Sequence, residues 1–146
     1  MTKPYVFRCS ICHNAIGKPY ISLIRRTERH AAKIVHTLLA QEMFRYDSQD
    51  CRASQEPHIV AQLQLKTTYP SSGAVVPCSR CGASVDRALP YVSYAYMEED
   101  LDVDRLVATV IDETELAVLC RDCEEPDEPT AQAVAAHEDQ QERTRT

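Results

Sequence analysis

Tryptophan is absent from this chain, phenylalanine occurs twice, and glycine only three times in 146 residues. So little glycine leaves scant room for a phosphate-cradling loop, and none of the patterns G-x-x-x-x-G-K, G-x-G-x-x-G or G-x-S-x-G occurs. H-x-E and H-E-x-x-H, the helical signatures of catalytic zinc, are missing as well. No run approaches the roughly eighteen apolar residues of a membrane span. The opening Met1-Thr2-Lys3-Pro4-Tyr5-Val6-Phe7-Arg8 lacks the apolar stretch of a signal peptide. These absences predict a cytoplasmic protein that is not an enzyme and has no membrane attachment.

What the chain does contain is cysteine. Seven are present, an odd number, and they are arranged as knuckles. Cys78-Ser79-Arg80-Cys81 and Cys120-Arg121-Asp122-Cys123 are two C-x-x-C pairs, Cys9-Ser10-Ile11-Cys12 is a third, and Ser48-Gln49-Asp50-Cys51 is a fourth with one cysteine replaced. In a reducing compartment this usage fits metal ligation better than disulfides. Two thiolate pairs make a closed tetrahedral site, so Cys78, Cys81, Cys120 and Cys123 are expected to hold a structural zinc.

The knuckles belong to a repeat. Residues 30–51 run without a gap against residues 102–123, matching at Val35/Val107, Thr37/Thr109, Asp50/Asp122 and Cys51/Cys123, and Pro19-Tyr20-Ile21-Ser22 answers Pro90-Tyr91-Val92-Ser93. A repeat of this kind sets the architecture. It divides the chain into a first module at residues 1–55, a linker at 56–77, a second module at 78–123 and an acidic, flexible tail at 124–146. Modules of about 45 residues rarely hold together on an apolar core alone, which gives the metal a structural role.

The expected fold is mainly β. Tyr91 to Tyr96 alternates, Arg105 to Ile111 is rich in β-branched residues, and Glu115 to Leu119 adds a third run, so the second module reads as a three-stranded meander with a turn at Asp112-Glu113-Thr114. In the first module Ala31, Ile34, Val35, Leu38, Leu39 and Met43 fall at helical spacing, but their match to a strand-like partner favours strand over residues 28–44. A short helix there is the competing reading. The alternation Ile59, Ala61, Leu63, Leu65 suggests an added strand within the linker.

With the C-x-x-C-G knuckle at Cys78 to Gly82, the meander and the second C-x-x-C, the chain resembles the broad class of zinc-ribbon modules, here in tandem. Treble-clef fingers are near relatives but need a helix at the second knuckle, which Glu124-Glu125-Pro126-Asp127-Glu128-Pro129 disfavours. The first module departs from the pattern at Ser48, aligned with Cys120. Cys9, Cys12 and Cys51 then need a fourth partner, and His13, His30, His36, His58, Asp47 and Asp50 are the candidates, among which spacing does not choose. Three thiolates and a water would suit catalysis, but no general base is identifiable nearby.

Charge is divided unevenly. Residues 1–77 carry ten Lys/Arg against five Asp/Glu, and residues 78–146 carry six against seventeen. Such asymmetry speaks of partners. Arg25, Arg26, Arg29 and Lys33 make the first hairpin tip basic, while Glu98, Glu99, Asp100, Asp102 and Asp104 make the second acidic. The chain is therefore expected to be a regulatory adaptor that binds another protein. The alternative is a nucleic-acid accessory factor using those four basic residues on phosphates. Mutual neutralisation of the tips, within one chain or across a homodimer, is a further expectation.

Overall fold

The computed structural model describes residues 8–16, 19–31, 34–102, 104–105 and 107–126. Lys33, the tail beyond Pro126 and the first seven residues, on which expectations were placed, lie outside the described residues. The chain is mainly β, as its sequence predicts. Its elements are β1 (Tyr20–Ala31), β2 (Ile34–Tyr46), α1 (Gln49–Gln62), β3 (Val75–Pro77), β4 (Ser84–Asp86), β5 (Tyr91–Asp102) and β6 (Val107–Leu119).

Residues 28–31 and 34–44 are strand, as the repeat argues against the helical periodicity. Two expectations are corrected. Each long hairpin has two strands and not three, because β6 runs unbroken through Asp112-Glu113-Thr114. The linker alternation at Ile59 to Leu65 is the end of α1 and the chain leaving it, not a strand. The helix starts where Ser48, in extended conformation, accepts a hydrogen bond from Cys51 N–H, with Asp50 in the positive first turn. It ends as Gln64 takes a left-handed φ of 57°. Pro57 sits inside it and lacks the N–H that would bond the preceding turn, which is why the segment does not read as a helix.

The two hairpins merge into one four-stranded antiparallel sheet of order β2-β1-β5-β6. The β1–β5 ladder runs from Tyr20 opposite Glu99 to Glu28 opposite Tyr91, with Ile24 opposite Ala95 at its centre. Ile24 and Ala95 are themselves equivalent, each two residues beyond the matched Ser22 and Ser93. The modules are thus related by a local twofold axis through that pair, which sends their knuckles to opposite ends of the sheet.

Register exposes a slip in the ungapped alignment. Ile21 pairs with Tyr46, and its equivalent Val92 pairs with Leu119; both ladders then shift register at matched places, after Leu23 and Tyr94, and after Thr27 and Glu98. Tyr46 therefore answers Leu119, whereas the ungapped alignment sets it against Val118. Bulges are conserved features of a hairpin's geometry, and two at matched places make the register unambiguous. Four residues separate the bounds of β5 and β6, against two between those of β1 and β2.

One core joins both modules. Ile21, Leu23, Tyr46, Ile59, Val76, Val92, Tyr94, Tyr96, Leu116 and Leu119 are buried together where α1 and the chain after it cover one sheet face. Burying each such large side chain stabilises the fold by roughly 1.5–3 kcal/mol. Tyr46 donates its hydroxyl to Gln55, and the Arg52 guanidinium lies 4.8 Å from the centre of the Tyr96 ring, tying the helix to strands of both hairpins. The opposite face carries an ionic network around the buried Arg26, Glu28 and Arg87: Arg26 pairs with Glu28 at 2.5 Å and with the exposed Glu113, and Arg87 with Glu115 at 2.9 Å.

Candidate metal centres

β3 and β4 hold the first knuckle of the second module between them, and Cys120 and Cys123 follow the end of β6. The four sulfurs lie within 4.8 Å of one another, and Cys81 Sγ is 3.6 Å from Cys120 Sγ. Tetrahedral thiolate ligation at about 2.3 Å requires sulfurs near 3.8 Å apart, whereas a disulfide requires about 2.05 Å. The arrangement is that of a metal site. Backbone donors complete it: the N–H groups of Arg80 and Cys120 reach Cys78 Sγ at 3.4 and 3.3 Å, and that of Ala83 reaches Cys81 Sγ at 3.5 Å.

In the first module the same knuckle is drawn again. Cys9 N–H bonds Asn14 O at 3.0 Å as Cys78 N–H bonds Ala83 O at 2.7 Å, and Ile11 N–H reaches Cys9 Sγ at 3.4 Å. The turn needs a left-handed residue, supplied by Gly82 at φ 80° and by His13 at φ 61°. Ser10 and Ser79 make matching contacts too. Ser10 N–H donates to Arg45 O at 2.7 Å and its hydroxyl accepts from Arg45 N–H at 3.0 Å; Ser79 does the same with Val118, at 2.8 and 3.1 Å.

That equivalence of Arg45 with Val118 moves the fourth ligand. Asp47, not Ser48, stands where Cys120 stands, and Cys9, Cys12, Asp47 and Cys51 bring their ligand atoms within 4.8 Å of one another. Ser48 is the cap of α1, and Cys51 lies in the first turn of that helix, facing its positive end. The first module thus has the helix at its second knuckle that the treble-clef alternative requires, while among the described residues none follows Cys123 in the second module. Among the six candidates for the fourth partner only Asp47 joins the cluster. His30 bonds the Tyr91 hydroxyl at 2.8 Å instead, and His13, His36, His58 and Asp50 are exposed outside it.

A carboxylate suits the position. Asp47 Oδ2 is 3.2 Å from Cys12 Sγ, close to the roughly 3.5 Å expected between sulfur and oxygen ligands of one tetrahedral zinc. Its Oδ1 is buried with no hydrogen-bond partner, and the neighbouring Cys12 thiol holds its acidity strong, so the group is a carboxylate. A charged, half-satisfied oxygen among three sulfurs is stabilised by a cation.

The thiols respond to their surroundings in opposite directions. Burial would raise Cys78, but the N–H groups of Cys81, Cys120 and Arg80 outweigh it and bring it down to about 6. Burial and hydrogen bonding with the Cys81 and Cys120 sulfurs push Cys123 up to about 12. The Ser48 hydroxyl lowers Cys51, but the Asp47 carboxylate and the other two sulfurs prevail and push it to about 12. Each pocket without a cation therefore favours one thiolate over several, and a divalent cation is what allows the rest to ionise.

Of the four basic residues singled out for partner contact, the three that are described do not form one exposed patch. Arg25 Nε pairs with Glu124 at 2.6 Å, Arg26 is buried in the ionic network, and Arg29 is exposed near the end of β1. Arg25 and Arg26 belong to the body of β1 and not to its tip. Asp100, Asp102 and Asp104 are exposed around the acidic hairpin end, and Asp112 is exposed in the middle of β6. No helix among the described residues is long and apolar enough to cross a membrane. Comparison of the chain with family models, with curated proteins and with solved structures finds no match.

Proposed function

We propose that this chain is a zinc-stabilised, non-catalytic platform that acts in the reducing cytoplasm as a regulatory adaptor, docking a basic protein surface on its acidic hairpin end. The observation that carries the structural-metal reading is that each cluster is closed by four protein ligands, which leaves no position for a reacting water. Soft thiolates in tetrahedral sets of this kind select zinc over the harder divalent ions. The exposed carboxylates at Asp100, Asp102 and Asp104 lie around one end of the sheet and would supply the long-range field that steers a basic partner. The nucleic-acid alternative is weakened because Arg25 and Arg26 spend their charge on Glu124, Glu28 and Glu113 within the chain.

Elemental analysis of the purified protein should return two zinc ions per chain, falling to one in Cys9→Ala and in Cys120→Ala. A variant carrying Asp100→Lys, Asp102→Lys and Asp104→Lys should keep both ions and its melting temperature while losing the partner that wild type captures from the native host. An unchanged set of captured proteins would refute the acidic docking surface. Duplex DNA binding whose affinity falls steeply with log[salt] would favour the alternative.

A further inference from the structure

Pairing of β1 with β5 covers one edge of each hairpin and leaves β2 and β6 as the outer edges of the sheet. An outer strand offers unpaired N–H and C=O groups to any other strand, and proteins guard such edges with short length, proline, charge or bulges. These two edges are equally long at 13 residues and bulged at matching places. They differ in charge. β6 carries Asp112, Glu113 and Glu115 in its middle, whereas β2 runs Ile34-Val35-His36-Thr37-Leu38-Leu39-Ala40-Gln41 without a lysine, arginine, carboxylate or proline. Along that stretch Ile34 is 59% exposed, Val35 52% and Leu39 45%.

We propose that β2 is a dimerisation edge: a second copy of this chain adds its own β2 antiparallel about a twofold axis, joining two four-stranded sheets into one. The chain already pairs equivalent strands in this way, β1 with β5 about the Ile24/Ala95 axis. Self-pairing of β2 along this stretch sets no like charges opposite each other, while self-pairing of β6 would gather the three carboxylates of each copy along one seam. Joining β2 of one copy to β6 of the next would be head-to-tail and would propagate without closing. The isologous β2 contact closes at two copies, covers the exposed apolar side chains, and leaves the carboxylate-bearing edges outermost.

Sedimentation equilibrium of the full, metal-loaded chain should show a monomer–dimer equilibrium that persists at high salt, since the uncharged stretch of β2 makes the contact. Val35→Lys with Leu39→Lys, both at exposed positions, should weaken the dimer at least about tenfold, whereas Val110→Lys on β6 should leave it unchanged. Concentration-dependent slowing of amide exchange in β2 of the wild type gives a second readout that needs no variant. A monomer at all concentrations, dissociation by salt, growth beyond the dimer, or a dimer lost to Val110→Lys but not to the β2 lysines would each overturn the proposal.

Discussion

Asp47 and Ser48 are neighbours, and exchanging each for alanine separates a metal ligand from a helix cap. Asp47→Ala removes the carboxylate 3.2 Å from Cys12 Sγ and leaves the first cluster with three thiols. Losing a group that merely orients a ligand costs about 10–100-fold in metal affinity, so losing the ligand itself should exceed roughly 100-fold, or about 2.7 kcal/mol. Ser48→Ala deletes an acceptor 3.2 Å from Cys51 N–H. It should cost about 1 kcal/mol of stability, the value of a cap, and at most about tenfold in affinity through its hold on the Cys51 turn. Competition with a chromophoric chelator at neutral pH reads both. Asp47→Ala should surrender one of two zinc ions at a chelator concentration where Ser48→Ala keeps both, and Asp47→Cys should keep both as well. Zinc lost from Ser48→Ala but retained by Asp47→Ala would refute the register argument that puts Asp47 in the site.

Metal affinity at both sites should rise with pH. The thiols of Cys51 and Cys123, pushed up to about 12, hold their protons at neutrality and must release them to the ion; calorimetry in buffers of different ionisation enthalpy should therefore detect proton release, and none would contradict the coupling. Arg26→Ala should destabilise the fold by about 3–5 kcal/mol, because it strands the buried Glu28 carboxylate, as denaturant melts would show. Gly82→Ala should cost about 1 kcal/mol from backbone strain alone, since no atom lies within 4 Å of the added methyl group. The reciprocal His13→Gly should gain roughly 0.5–1 kcal/mol, and equal effects of opposite sign in thermal melts would show that the two knuckles share one turn.

Much of the site was legible because thiolate chemistry is local. A two-residue spacer is sufficient to turn two sulfurs toward one ion, so C-x-x-C announces a knuckle wherever it occurs, and all seven cysteines fall in the two clusters. Asp47 was one of six open candidates, since a carboxylate beside a strand end looks the same whether it meets solvent or metal. The signal that could have found it is the tip length. Allowing for two extra residues between Asp102 and Val107 slides Asp47 onto Cys120 and releases Ser48 to its capping role. Helix α1 was hidden by Pro57 and by an apolar alternation that mimics a strand.

The amino-acid sequence by itself determined the duplication, the β character of both halves, even over residues 28–44 where periodicity suggested helix, and the thiolates of both clusters. Tertiary structure alone decided the register of β2 and β6, the carboxylate that completes the first cluster, the fusion of two hairpins into one sheet, and the internal pairing of Arg25 and Arg26. The division has a physical cause. Ligand spacing is written into a few consecutive residues, whereas strand register depends on hydrogen-bond ladders between distant segments, where a shift of one residue turns every side chain to the other face.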